Sequence, residues 1–164
     1  MENYLKAVLY AYPLLKTVGE DYAEHIRNKA VLSYNSSRLT EDLAEYLAEE
    51  ILRKNNLLWL RGVIEETLAK LNDTERTLIA AKYFGKKKKP LHKEGEEAWS
   101  ERTYFRQQEK VGNKLAGMLV VAGVTKEFFD TKLQGVELIG KIHRHVLKSE
   151  GSGQAIKVRE KTPS

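Results

Sequence analysis

Arg102, Thr103, Arg106 and Gln107 are the side chains in this sequence whose types and spacing suit selective chemistry. They fall in the first two turns of a helix that Ser100 is placed to cap. An arginine guanidinium forks onto the major-groove edge of guanine, a glutamine amide pairs with adenine, and a threonine bonds a base edge or touches a thymine methyl. In a helix-turn-helix such residues open the second helix, whose other side packs on the helices before it. On a helical wheel Tyr104, Val111, Leu115, Met118 and Ala122 share the packing side. Arg102, Arg106, Glu109 and Asn113 lie roughly opposite, flanked by Thr103 and Lys110. The alternative is a solvated helix face with incidental arginines, and spacing by itself leaves both readings open.

Upstream stand four consecutive cations, Lys86, Lys87, Lys88 and Lys89, followed by Pro90. Their mutual repulsion favours a solvated loop. Beside a reading helix such a loop would clamp backbone phosphates, each contact adding about −0.9 to the log–log salt slope. The net charge of +5 conceals this block. Residues 1–81 hold 10 basic and 13 acidic side chains, net −3. Residues 82–114 hold 10 basic and 5 acidic, net +5, and residues 115–164 hold 8 and 5, net +3. A basic middle beside an acidic N-terminal half points to a polyanion. Nucleic acid fits better than a membrane surface, because neither basic feature sits on a helix with a large apolar face. The longest uncharged run, Leu115 to Thr125, is far short of the roughly 20 residues that span a bilayer.

Catalytic chemistry finds little support. With no cysteine, neither a disulfide nor a thiolate metal site can form. There is no phosphate-binding glycine loop, no H-E-x-x-H and no nucleophile elbow. His143 and His145 stand two residues apart, on nearly opposite helix faces. The pairs Glu49-Glu50, Glu65-Glu66 and Glu96-Glu97 read as solvated helix face. No enzymatic activity, cofactor or metal is expected. Met1-Glu2-Asn3 lacks the basic start and apolar core of a signal peptide, so a cytosolic location is expected.

The elements that must position the Ser100 helix all read as helical. Tyr4, Leu5, Val8, Leu9, Tyr12 and Leu15 form one apolar stripe, with Pro13 marking a kink or boundary. A second helix is expected over about Glu20 to Leu32, and the turn formers from Ser33 to Arg38 read as a loop. Thr40 can cap a long pattern carrying Leu43, Leu47, Ile51, Leu58, Val63, Ile64, Leu68 and Leu71. That pattern is either one helix or two broken near Lys54-Asn55-Asn56. Asn72 to Glu75 has the N-x-x-E form of a capping box, opening a helix that Gly85 stops. Leu91 to Trp99 is weakly patterned. After the Ser100 helix, Thr125 can cap a last helix of about Lys126 to Lys148, which Gly135 and Gly140 weaken by roughly 1 kcal/mol each. From Ser149 onward periodicity is lost and disorder is expected.

Leu71-Asn72-Asp73-Thr74-Glu75-Arg76-Thr77-Leu78-Ile79 through Lys82-Tyr83-Phe84, then Trp99-Ser100-Glu101-Arg102-Thr103-Tyr104-Phe105-Arg106, resemble the promoter-reading C-terminal domain of bacterial sigma factors. Closer still is the likeness to sigma-like regulators of phages and mobile elements, of the ArpU and RinA type. There an "L-x-x-x-E-R-x-L-I-x-x-x-Y-F" helix precedes a helix-turn-helix whose recognition helix opens S-x-x-T-aromatic-aromatic-R. The resemblance covers about residues 68–122. It implies that Ser100 caps the recognition helix, that Arg102, Thr103 and Arg106 face DNA, and that RNA polymerase is a partner. Leu91 to Trp99 departs from it, being Lys-, Glu- and Gly-rich where the first helix of the motif carries apolar residues.

The expected fold is therefore all-α. Residues 1–70 form an N-terminal helical hairpin or bundle able to self-associate, 71–124 a helix-turn-helix domain, 125–148 a C-terminal helix and 149–164 a tail. The expected function is sequence-specific binding of double-stranded DNA in phage or mobile-element transcriptional control. Lys86, Lys87, Lys88 and Lys89 would anchor phosphates, Ser100 would cap, and Arg102, Thr103, Arg106, Gln107 and Lys110 would contact DNA. The alternatives are a non-transcriptional DNA binder, such as a phage packaging small subunit or recombination accessory factor, and a helical protein–protein adaptor.

Overall fold

The computed structural model describes residues 1–36, 41–86 and 98–161, and their side chains except those of 34–36 and 152–161. Every regular element among the described residues is helical, so the protein is all-α as its periodicities require. No helix among them is long and apolar enough to cross a membrane. The elements are α1 (Asn3–Ala11), α2 (Leu15–Ser36), α3 (Glu41–Ala69), α4 (Asp73–Tyr83), α5 (Glu101–Val121), a short α6 (Lys126–Phe128) and α7 (Glu137–Lys161).

Helix α1 is the most deeply buried. Tyr4, Leu5, Ala7, Val8, Leu9 and Ala11 are all enclosed, because α7 and α4 cover faces that the 3–4 stripe alone does not account for. Pro13 sits in a 3₁₀ turn, Tyr12–Leu14, that redirects the chain into α2. One continuous apolar cluster runs from Tyr4 through Leu57, Leu60 and Ile64 to Leu78, Leu115, Leu119, Phe129, Leu133 and Ile139. The three sequence segments 1–70, 71–124 and 125–148 thus all contribute to the same core.

Several expectations need correction. Helix α2 runs from Leu15 to Ser36, so the turn formers Ser33 to Ser36 are helical and not a loop. Residues 37–40, including the Thr40 cap, lie outside the described residues. Of the two forms open to the long pattern, the single helix holds: α3 is unbroken at Lys54-Asn55-Asn56. Its buried face is also different from the expected one: Glu50, Leu57, Leu60, Ile64 and Thr67 are enclosed, whereas Ile51 and Leu58 are exposed. The expected last helix is interrupted. Thr125 caps α6 through its hydroxyl to Phe128 N–H at 3.1 Å, but a π-helical turn, Phe129–Leu133, follows at once. A break at Gln134 to Val136 then precedes α7. Helix α7 continues to Lys161, well past Lys148.

A distant side chain packs against the break. Arg53 of α3 lays its guanidinium over Gly135, with Nε only 2.6 Å from where a Cβ would stand. The same guanidinium bonds Glu50 at 2.8 Å, which satisfies a carboxylate that is otherwise buried. A side chain at position 135 would displace that pair.

Candidate nucleic-acid interface

Helix α5 begins as its sequence specifies. The Ser100 hydroxyl accepts the Thr103 N–H at 3.2 Å, supplying one of the four partners a helix N-terminus lacks. It also donates to the Thr103 hydroxyl at 3.0 Å, so Thr103 is engaged in the cap and half-buried. Tyr104, Val111 and Leu115 are buried, Met118 is half-buried and Ala122 is exposed. On the solvent side lie Arg102, Arg106, Glu109, Lys110 and Asn113, as the wheel predicts. Gln107 is half-buried at the edge of that strip, and Phe105 is exposed, its ring edge-on to Tyr104 at 5.7 Å.

Arg53, Arg61 and Arg76 are neutralised by carboxylates of their own helix, by Glu50, by Glu65 at 3.1 Å and by Asp73 respectively, whereas the exposed Arg27 and Arg144 are not paired with a carboxylate among the described residues. Among the described residues Arg102, Arg106 and Lys110 form no ion pair. Their charge faces solvent uncompensated except by Glu109, which interrupts the strip one turn beyond Arg106.

Two side chains that sequence reasoning did not single out fix α5 against α4. Gln108 is buried and donates its amide to the Leu78 carbonyl at 2.9 Å. Lys114 pairs with Glu75 at 2.9 Å. Gln108 falls on the packing side of the wheel with Tyr104, Val111 and Leu115, but its partner is 30 residues away and no spacing rule supplies it. The Glu75 carboxylate is also half of a reciprocal cap. Asn72 accepts from Glu75 N–H at 2.8 Å and Glu75 accepts from Asn72 N–H at 3.1 Å.

The hydrogen bond from Lys114, then that from the Asn72 N–H, holds the Glu75 carboxyl below its ordinary value of 4.5. The ionised form is stabilised in the folded state, so its contribution is complete above pH 4.5 and is lost as pH falls through the lower folded value. Glu75→Gln keeps a cap acceptor but loses the Lys114 pair. It should cost no more than about 1 kcal/mol at neutral pH, because Lys114 is half-exposed. In thermal melts the gap between native and variant protein should close toward pH 3. A gap of constant size would show that the charge is not what matters.

Lys86 is exposed just beyond α4. Gly85, at φ 69°, ends that helix and lets the Lys86 N–H reach the Ala80 carbonyl at 3.2 Å. Lys87, Lys88 and Lys89 lie outside the described residues, as does the stretch 91–97 expected to hold the first helix of a helix-turn-helix. The structure therefore brings Arg102, Arg106 and Lys110 onto one face, sets Ser100 and Thr103 in the cap, and leaves Gln107 at the margin.

The chain matches no family model, no curated protein and no solved structure. The motif that carries the sigma-like resemblance can still be read for its local work. Leu71 is buried, Asn72 and Glu75 cap α4, and Arg76 donates to the Leu71 carbonyl at 2.6 Å, tying the end of α3 to α4. Leu78, Ile79 and Tyr83 enter the core. Each of these residues caps a helix or holds helices together.

Proposed function

We propose that the protein is a sequence-specific binder of double-stranded DNA, acting as a transcriptional regulator of the phage or mobile-element type. The N-terminal half of α5 would read base edges in the major groove. Arg102 and Arg106 are the base readers in this proposal, with Thr103 and Gln107 at the margin of the reading face. Lys110 and the Lys86–Lys89 run would serve as phosphate anchors. The observation that carries the proposal is a capped helix end presenting two arginines and a lysine on one solvent face, without carboxylate partners among the described residues. The sigma-like resemblance supports the transcriptional setting and makes RNA polymerase a candidate partner. Self-association through α2 and α3 would supply the paired half-sites that dimeric readers use.

A second reading, a protein–protein adaptor, draws on a different observation: Val31, Leu32, Ile51 and Leu52 are exposed on α2 and α3. The test is selection of bound sequences from a random duplex pool. Enrichment of a defined site, with affinity that falls steeply with salt, is the expected result. Salt-insensitive binding of micromolar strength or weaker without enrichment would leave the adaptor. Ring-shaped oligomers in solution, with no effect on promoter output, would favour the packaging alternative.

A further inference from the structure

A cavity of about 610 Å³ opens between α1, α4 and α7, away from the Arg102–Arg106 strip. That size is within the range of pockets that enclose small organic ligands. Its floor is apolar, made by the Tyr10 ring with Ile142 and the buried Val146. Tyr10 is fixed edge-on against Tyr83 at 4.9 Å, so the floor is already in place before any ligand arrives. Its rim is basic. Lys6, Lys82, Lys141 and His145 line it, and Glu150 is the one lining carboxylate among the described residues.

The disposition of these charges shows where an anionic group would sit. The Lys6 ammonium is mostly buried and bonds Glu150, while Lys141 is paired with Glu137 at 3.0 Å. The Lys82 ammonium lies 5.4 Å from the centroid of the Tyr83 ring and has no carboxylate partner among the described residues. The hydrogen bond from Lys6, then the charges of Lys6 and Lys82, lower the Glu150 carboxyl below its ordinary value of 4.5. The protein's own carboxylate thus marks the anion position at one edge of an apolar floor.

We infer that this cavity is a binding site for a small amphipathic anion, an aromatic or alicyclic body bearing a carboxylate, sulfonate or phosphate. The body covers Tyr10, Ile142 and Val146, and the charged group takes Lys82 and competes with Glu150 for Lys6. The inference is independent of DNA binding, since none of these residues belongs to the proposed reading face.

Anilinonaphthalene sulfonate, whose fluorescence rises on transfer to an apolar site, is a direct probe. Phenylnaphthylamine carries a similar ring system without the charge. The full chain should bind the sulfonate with one-to-one stoichiometry and more tightly than the neutral amine. Lys82→Glu should weaken the sulfonate by about tenfold, the scale of one lost charge-assisted contact, and leave the amine unchanged. Glu150→Gln removes the competitor and should tighten the sulfonate several-fold. Lys70→Glu, the same charge change at an exposed position outside the cavity, should do nothing. Because Lys82 and Glu150 are both solvent-accessible and act in opposite directions, general destabilisation cannot reproduce the pattern. Absence of binding, equal effects of Lys82→Glu and Lys70→Glu, or an amine that tracks the sulfonate through the variants would each overturn the inference.

Discussion

Arg106→Ala is expected to weaken binding to the selected duplex by about 1–3 kcal/mol, roughly 5- to 150-fold, while random duplex loses far less. The asymmetry follows from what a guanidinium can do at a base edge. A bidentate pair with guanine is lost whole, and the wrong base never made it. Arg102 and Arg106 are one helical turn apart on the exposed face of α5. The double alanine variant should therefore relax specificity at two neighbouring positions, with losses that add unless both arginines share one base pair. Lys86→Ala should behave differently. As a phosphate contact it should weaken selected and random duplexes alike and lower the salt slope by about one. Equal loss on both duplexes for Arg106→Ala, measured in titrations at fixed salt, would reduce Arg106 to a phosphate contact and remove the direct-readout claim.

Phe129→Ala should destabilise the fold by about 3–5 kcal/mol, the range for deleting a buried phenylalanine. Phe129 is almost fully enclosed and lies in the π-helical turn, where its ring meets Tyr4 at 5.6 Å and His143 at 4.9 Å. Tyr4 in turn donates its hydroxyl to the Val124 carbonyl at 3.2 Å, so the ring anchors α1 to the connection that leaves α5. Removing it opens a void on three elements at once, and rigid neighbours limit collapse into that void. For a chain of this size the melting temperature should fall on the order of 10 °C by calorimetry. A fall of only a degree or two would mean that α1 and α7 close over the gap.

What the sequence displays well is local chemistry. The reciprocal cap at Asn72 and Glu75, the Ser100 and Thr125 caps, the Gly85 stop and the turn at Pro13 each need only residues within a few positions of one another. The Arg102–Arg106 face was legible for the same reason. Features set by distant partners were not. Gly135 looks like a weak helix former until Arg53, 82 residues earlier, is seen to occupy the space above it. Gln108 looks like one more polar residue of α5 until Leu78 supplies its carbonyl. Lys6 and Glu150 are 144 residues apart, and no spacing rule relates them. Helix α3 misleads in a further way. Its Leu57-Leu58-Trp59-Leu60 run is apolar all round, so the buried side is chosen by what packs on it and not by pattern.

Helices α2 and α3 pack on each other as a two-helix arm, and its outer part has a dynamic consequence. From about residue 23 to 32 on α2 and 41 to 49 on α3 no side chain is enclosed, and even Ile26, Leu43 and Leu47 are only half-covered. Those segments rest chiefly on each other, whereas Leu9 and Ile64 sit at zero exposure in the common core. Such a unit opens by itself, at a free energy below that of global unfolding. Hydrogen–deuterium exchange should therefore divide the amides into two populations, the arm trading protons through sub-global openings and α1, α5 and the C-terminal half of α3 only when the whole molecule unfolds. A partner gripping the arm can remodel it at little cost while the remaining helices keep their packing.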